Sequence, residues 1–172
     1  MPVDIFTIAQ FDAALPRKPD GDSLALPMVY VHDIRQYVWT IPVAHGMAIK
    51  VYSGIGASGV SADCGEDSIR AVIVRMSDGK VYGSKLKRWV TRQPGWRARM
   101  TGMLREMWKL ALLTGPCACG GTVGVYLVRK AGANKGRMFR KCDGDKCVAM
   151  SGRPLFQWLV KDESGALRKE AA

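Results

Sequence analysis

Four cysteines carry the clearest chemistry in this chain. Cys117-Ala118-Cys119 is followed, after 22 intervening residues, by Cys142-Asp143-Gly144-Asp145-Lys146-Cys147. Two close thiol pairs flanking a β-rich stretch suit tetrahedral coordination, because each pair occupies one turn and a hairpin between them brings the turns together. Thiolates are the binding species, and Lys141 and Lys146 stand close by in the chain to offset the negative charge of four of them. With four protein ligands no position is left for water, so the pattern predicts a structural zinc ion rather than a catalytic one. Gly120-Gly121 directly after the first pair, and a segment too small to be held by burial alone, favour this over four unliganded thiols. Iron is the competing metal. Cys64 stands apart and reads as a small buried or half-buried residue.

The elements that must position these thiols follow from periodicity. From Met28 to Arg92 the dominant period is two, which predicts strands over 28–32, 36–43, 47–54, 68–76 and 80–91. The last two are joined by Met76-Ser77-Asp78-Gly79, whose Asp-Gly suits the positive φ angles of a tight hairpin. Residues 54–67, rich in Gly and Ser, read as a loop. After Gln93-Pro94-Gly95 the period becomes helical. Met100, Met103, Leu104, Met107, Trp108, Ala111 and Leu112 fall on one stripe of a helix near 97–113 that ends at Gly115-Pro116 and covers the sheet. Ahead of these lies a short helix within 3–15, with Asp4 as its cap, and a breaker-rich linker from Pro16 to Pro27. The expected class is α+β. It comprises an N-terminal segment and linker (1–27), a mostly antiparallel domain with one covering helix (28–115), a β-rich zinc finger (116–161) and a frayed tail (162–172).

Charge is distributed unevenly. Net charge is +11, yet residues 1–79 hold six basic against nine acidic side chains, while 80–116 hold nine basic against Glu106 alone and 117–161 nine against Asp143 and Asp145. Such asymmetry points to a polyanionic partner, nucleic acid first. Hydrophobic residues make up 48% of the chain and no apolar run approaches the ~18 residues of a membrane span, so no membrane partner is expected. Asp4 and Asp12 interrupt the only stretch resembling a secretory signal, so a reducing cytoplasm is the expected setting.

Cys117-Ala118-Cys119-Gly120, then Gly132-Ala133-Asn134-Lys135-Gly136-Arg137-Met138-Phe139, Cys142, Cys147 and Phe156-Gln157-Trp158 together resemble the GRF-type zinc finger over about residues 115–161, with Val148 to Leu155 lying between the last cysteine and the aromatic pair. Zinc ribbons at the ends of type I topoisomerases are a neighbouring resemblance whose cysteine spacing fits less well. The GRF resemblance implies binding of single-stranded nucleic acid on a curved basic sheet, with Arg137 at a phosphate or base and Phe139 mainly packing. It also implies service to nucleases, helicases, topoisomerases or repair enzymes. Lys50-Val51-Tyr52-Ser53, Gly65-Glu66-Asp67-Ser68-Ile69-Arg70 and Trp96-Arg97 are similar to stretches of prokaryotic or phage proteins that end in a zinc ribbon.

The residues reach a related expectation without the family. Arg129, Lys130, Lys135, Arg137, Arg140 and Lys141 lie on or between two strands near Tyr126, Phe139 and Trp158, and cations among rings suit a strand with unstacked bases. The alternative for Tyr126, Phe139, Phe156 and Trp158 is that they form the finger's own small core. A second basic region, Lys85, Lys87, Arg88, Trp89, Arg92 and Arg97, would extend the surface, since Lys85, Lys87 and Trp89 share one strand face. No catalytic residues are assigned: His32 and His45 are the only histidines, and no phosphate-cradling Gly-rich motif is present. Asp63, Glu66 and Asp67 are the one carboxylate group that could chelate magnesium in a nuclease. The expectation is therefore a non-enzymatic protein with structural zinc that binds single-stranded DNA, or RNA, as an accessory in replication, recombination or repair. An adaptor docking on a DNA-processing enzyme is the alternative.

Overall fold

The computed structural model describes residues 4–17, 19, 27–34, 36–53, 68–83, 87–90, 94–144, 147, 155–161, 163 and 167–170, and for residues 53, 68, 87–90, 96 and 97 it describes the backbone alone. Among the described residues, two five-stranded sheets and two helices make an α+β fold in which every ladder between named strands is antiparallel.

The first sheet runs in chain order: β1 (Val29–Val31), β2 (Gln36–Pro42), β3 (Met47–Ser53), β4 (Ser68–Arg75) and β5 (Lys87–Val90). Its strands alternate as the period-two reading requires. Trp39, Ile41, Ile49, Val51, Ile69, Ala71 and Ile73 are buried on one face, while Thr40, Lys50, Tyr52, Arg70 and Val72 share the other. Helix α2 (Trp96–Ala111) covers the apolar face with Met100, Leu104, Met107, Trp108 and Ala111, the predicted stripe. Helix α1 (Ile8–Ala14) adds Phe11, fully buried and stacked on Trp108 at 5.7 Å between centroids, and Arg105 grips Asp12 through two hydrogen bonds of 2.7 and 3.1 Å. The cap of α1 is Thr7, not Asp4. Thr7 accepts the Gln10 N–H and the Gln10 side chain accepts the Thr7 N–H in return, a reciprocal arrangement that Asp4, three residues upstream, cannot make.

The Asp78-Gly79 turn departs from the sequence reading. The tight turn with two positive φ angles is His45-Gly46 (+56° and +74°) between β2 and β3, closed by the Met47 N–H on the Ala44 carbonyl at 3.0 Å. The Asp78-Gly79 turn is a four-residue loop closed by the Arg75 N–H on Lys80 O at 2.9 Å, and only Gly79 has positive φ. Asp78 serves differently there. Its carboxylate accepts the Arg75 guanidinium and the Lys80 N–H, which hold its pKa down at about 2.

The strand expected over 80–91 is divided. Val74 faces Val81, but Ala71 faces Lys87, so three steps along β4 are matched by six along its partner. At the division Gly83 bridges Val125 of the second sheet, and the Val125 N–H donates to Tyr82 O at 3.0 Å. Residues 81–83 thus join the two sheets.

The second sheet has the order β10-β9-β8-β7-β6, from β6 (Gly115–Pro116), β7 (Thr122–Leu127), β8 (Met138–Cys142), β9 (Phe156–Lys161) and β10 (Leu167–Lys169). Val125, Met138 and Leu159 continue the core that begins in the first sheet. Strand β10 corrects the expectation of a frayed tail: Leu167 faces Lys161 and Lys169 faces Leu159, with Leu167 packed against the core.

Candidate metal centre

The β7–β8 hairpin does what the spacing required. Cys117 and Cys119 lie in the turn between β6 and β7, Cys142 ends β8 and Cys147 follows it. Their four Sγ atoms lie within 4.8 Å of one another, with Cys117 to Cys147 at 3.6 Å and Cys119 to Cys142 at 3.5 Å. A regular tetrahedron of metal–sulfur bonds of about 2.3 Å has edges of about 3.8 Å, so the cluster can hold one metal ion with four thiolates.

Each turn is built around its sulfurs. The N–H groups of Gly121, Gly144 and Leu155 donate to Cys119, Cys142 and Cys147 Sγ, each at 3.3 Å. These bonds spread the negative charge that four thiolates would carry onto backbone dipoles. Gly121 and Gly144 face each other across the site: a Cβ on Gly121 would stand 2.8 Å from Gly144 N and Cα and 2.9 Å from Cys142 Sγ. A Cβ on Gly144 would stand 2.9 Å from Cys119 Sγ. The requirement for glycine at 144 was readable in Cys142-Asp143-Gly144 only once the two turns are known to meet. The Cys119 N–H holds the Cys117 thiol down to about 7, whereas burial pushes the Cys142 thiol up to about 12.

Asp143 ties this centre to the first sheet. Its carboxylate accepts the Thr122 N–H at 2.8 Å, the hydroxyl of fully buried Tyr82 at 2.7 Å and Lys80 Nζ at 3.3 Å, and Arg75 donates to Thr122 Oγ1 at 2.8 Å. Sequence reading treated Asp143 as one of two acids diluting a basic stretch; two of its three partners, Tyr82 and Lys80, lie outside residues 116–161.

The second sheet presents its rings on the face opposite the core. Tyr126 packs on Phe139 at 5.7 Å between centroids, Phe139 on Phe156 at 5.0 Å, and Trp158 meets Phe139 and Phe156 edge-on at 5.9 and 5.2 Å. Phe156 is 47% exposed and the other three are half-buried, so the rings form an accessible platform. Arg137 lies over it, its guanidinium carbon 4.1 Å from the Trp158 centroid. Lys141 is exposed on the same side of β8 as Phe139 and is paired in register with Phe156, one step removed from the thiol side where Cys142 points.

The remaining predicted contacts divide. Arg129, Lys130 and Lys135 lie exposed in the β7–β8 connection. Arg140 turns the other way, half-buried on the Met138 and Cys142 side opposite Gln157, where its Nε and Gln157 Oε1 are buried without partners and burial lowers its pKa. It does not join Arg137. Backbone register sets Lys87 opposite Ala71, Arg88 opposite Arg70 and Trp89 opposite Ile69. Their side chains and that of Arg97, together with Lys85, Arg92, Cys64, Lys146 and the carboxylates Asp63, Glu66 and Asp67, lie outside the described residues. No helix among the described residues is long and apolar enough to cross a membrane. Comparison with known protein families, curated proteins and solved structures finds no match for this chain.

Proposed function

We propose that the chain is a zinc-containing nucleic-acid-binding protein whose second sheet stacks the bases of single-stranded DNA, in the manner of a GRF-type finger, as an accessory to replication, recombination or repair. The observation that supports this best is Arg137 held over Trp158 on a platform of Tyr126, Phe139 and Phe156. Rings supply sequence-tolerant stacking of about 1 to 3 kcal/mol per base, and a guanidinium beside them reaches the phosphate that each unstacked base carries.

Zinc is the metal the donor set favours, because four thiolates in a closed tetrahedron match its preference and leave no open site for chemistry. When bound, it would supply folding free energy to the turns carrying Cys117, Cys119, Cys142 and Cys147 and so fix the end of β8. The chain's own residues then bind: Phe156 and Trp158 offer faces to bases, and Arg137 and Lys141 offer charge to the backbone. Affinity should come from stacking and counterion release, and fall steeply with salt.

Fluorescence anisotropy with labelled single-stranded DNA, double-stranded DNA and RNA across a salt series tests the proposal, with metal content measured on the same preparation. Salt-dependent preference for the single strand, lost in Trp158→Ala and Arg137→Ala, is the expected result. Absent or salt-insensitive binding refutes it, and capture of an acidic protein partner instead would favour the adaptor reading.

A further inference from the structure

The outer face of the first sheet carries a cleft that the finger does not use. Its volume is about 550 Å³ and Ile34, Gln36, Lys50, Tyr52, Arg70, Val72 and Val81 line it, within the about 300 to 1,000 Å³ of single-ligand sites. Lys50 stands opposite Val72 and Tyr52 opposite Arg70, so one cation neighbours the Tyr52 ring along β3 and the other across on β4. Lys50 Nζ is 5.5 Å and the Arg70 guanidinium carbon 5.2 Å from the Tyr52 centroid.

Among the described residues neither Lys50 nor Arg70 has a carboxylate partner, and Arg70 Nε is buried with no hydrogen-bond acceptor. Two cations gathered on one half-buried ring repel each other and leave donors unmet, an arrangement that an anion relieves. The floor and rim are of a different kind: Val72 at the base, Gln36 with only 4% exposure, and Ile34 and Val81 about half exposed at opposite edges. An apolar rim beside a paired cationic site matches one nucleotide, with its base on the aliphatic wall and its phosphate on Lys50 and Arg70. Ile34 and Val81 are 47% and 49% exposed, so the cleft lies open to solvent, as a site for one segment of a longer chain requires.

We infer that this cleft is a second nucleic-acid subsite, in which Lys50, Arg70 and Tyr52 hold one nucleotide of a single strand that is also bound by the finger. The inference rests on the strand-binding reading of the finger. A strand long enough to reach both places gains affinity because its second contact is intramolecular, whereas a short strand fills the finger alone.

The test compares wild type with the double variant Lys50→Gln, Arg70→Gln on single strands of about 6 and about 20 nucleotides, chosen to lie below and above common single-domain site sizes. The longer strand should bind the variant about tenfold more weakly, with the slope of log K against log salt reduced by about 0.7 for the one lost phosphate contact. The short strand should bind both proteins equally. A strand carrying 5-iodouracil should photo-crosslink to Tyr52 in the wild-type protein, a readout that stands even where the double variant unfolds at lower temperature. Equal affinity of both proteins for the longer strand, with no Tyr52 crosslink, overturns the subsite and leaves the finger reading intact. Absence of binding by wild type to either strand overturns both. Crosslinking of Tyr52 by free mononucleotide but not by the strand assigns the cleft to a small ligand and overturns the strand assignment.

Discussion

Replacing Gly121 by alanine should weaken metal binding at the thiol cluster. The added Cβ would stand 2.8 Å from Gly144 N and Cα and 2.9 Å from Cys142 Sγ, three contacts below the distance at which carbon meets backbone or sulfur without displacement. Two of the three are backbone, so no rotamer change relieves them, and the turns must part by about half an ångström or more to reach ordinary contact distances of about 3.5 Å. Metal–sulfur bonds of about 2.3 Å tolerate little of that movement. Overpacking of this kind costs about 1 to 3 kcal/mol, which at about 1.4 kcal/mol per decade is between about fivefold and a hundredfold in metal affinity. Competition against a chromophoric chelator measures it directly. Gly102→Ala is the control with opposite sign: it lies in α2 with nothing within 4 Å of its would-be Cβ, so the change should stabilise the protein by about 0.5 to 1 kcal/mol and leave metal affinity unchanged. Gly144→Ala, whose Cβ would meet Cys119 Sγ at 2.9 Å, should weaken binding similarly. The double variant should cost less than the sum, because the first substitution already separates the turns. Wild-type metal affinity in Gly121→Ala would refute the reasoning, since it would mean that the two turns do not approach as the four sulfurs require.

Three further outcomes follow from other contacts. Tyr82→Phe removes a 2.7 Å hydrogen bond to the Asp143 carboxylate, which keeps Thr122 and Lys80, so it should lower stability by about 1.5 kcal/mol and shift the urea midpoint; an unchanged midpoint would deny that Asp143 ties the sheets together. Phe11→Ala empties a fully buried site against Trp108 and should destabilise by about 3 to 5 kcal/mol in the same assay, whereas a loss under about 1 kcal/mol would mean that α1 is not part of the core. Glu170→Gln releases Arg137 from a partly exposed ion pair of 3.3 Å; such pairs are worth about 0.2 to 1 kcal/mol, so single-strand affinity should rise by up to about fivefold, and a fall would mean that the pair orients Arg137 for binding instead of competing with it.

What the sequence made legible was whatever a local rule controls. Strand alternation from Val29 to Arg75, the stripe on α2 and the convergence of four thiols all follow from periods and spacings, and all are present. Non-local pairing was not legible. Nothing near Leu167 announces that it will lie beside Lys161, and nothing near Gly83 announces its bridge to Val125 of the second sheet. The turn chemistry misled for a related reason: Asp78-Gly79 and His45-Gly46 both end in glycine, but the hydrogen bonds from Arg75 and Lys80 draw Asp78 into a longer loop, and His45 takes the positive φ instead. Arg140 is the instructive case, because its direction was implied by the one assignment the sequence supports best. Once Cys142 points to the cluster of thiols, alternation along β8 sends Arg140 and Met138 to that side and Phe139 and Lys141 to the other, with Arg137 just before the strand joining the rings. Grouping the basic residues by nearness in the chain overlooked this parity. A metal ligand on a strand therefore fixes more than its own position: it sorts every neighbour on that strand between the buried side and the side free to meet a partner.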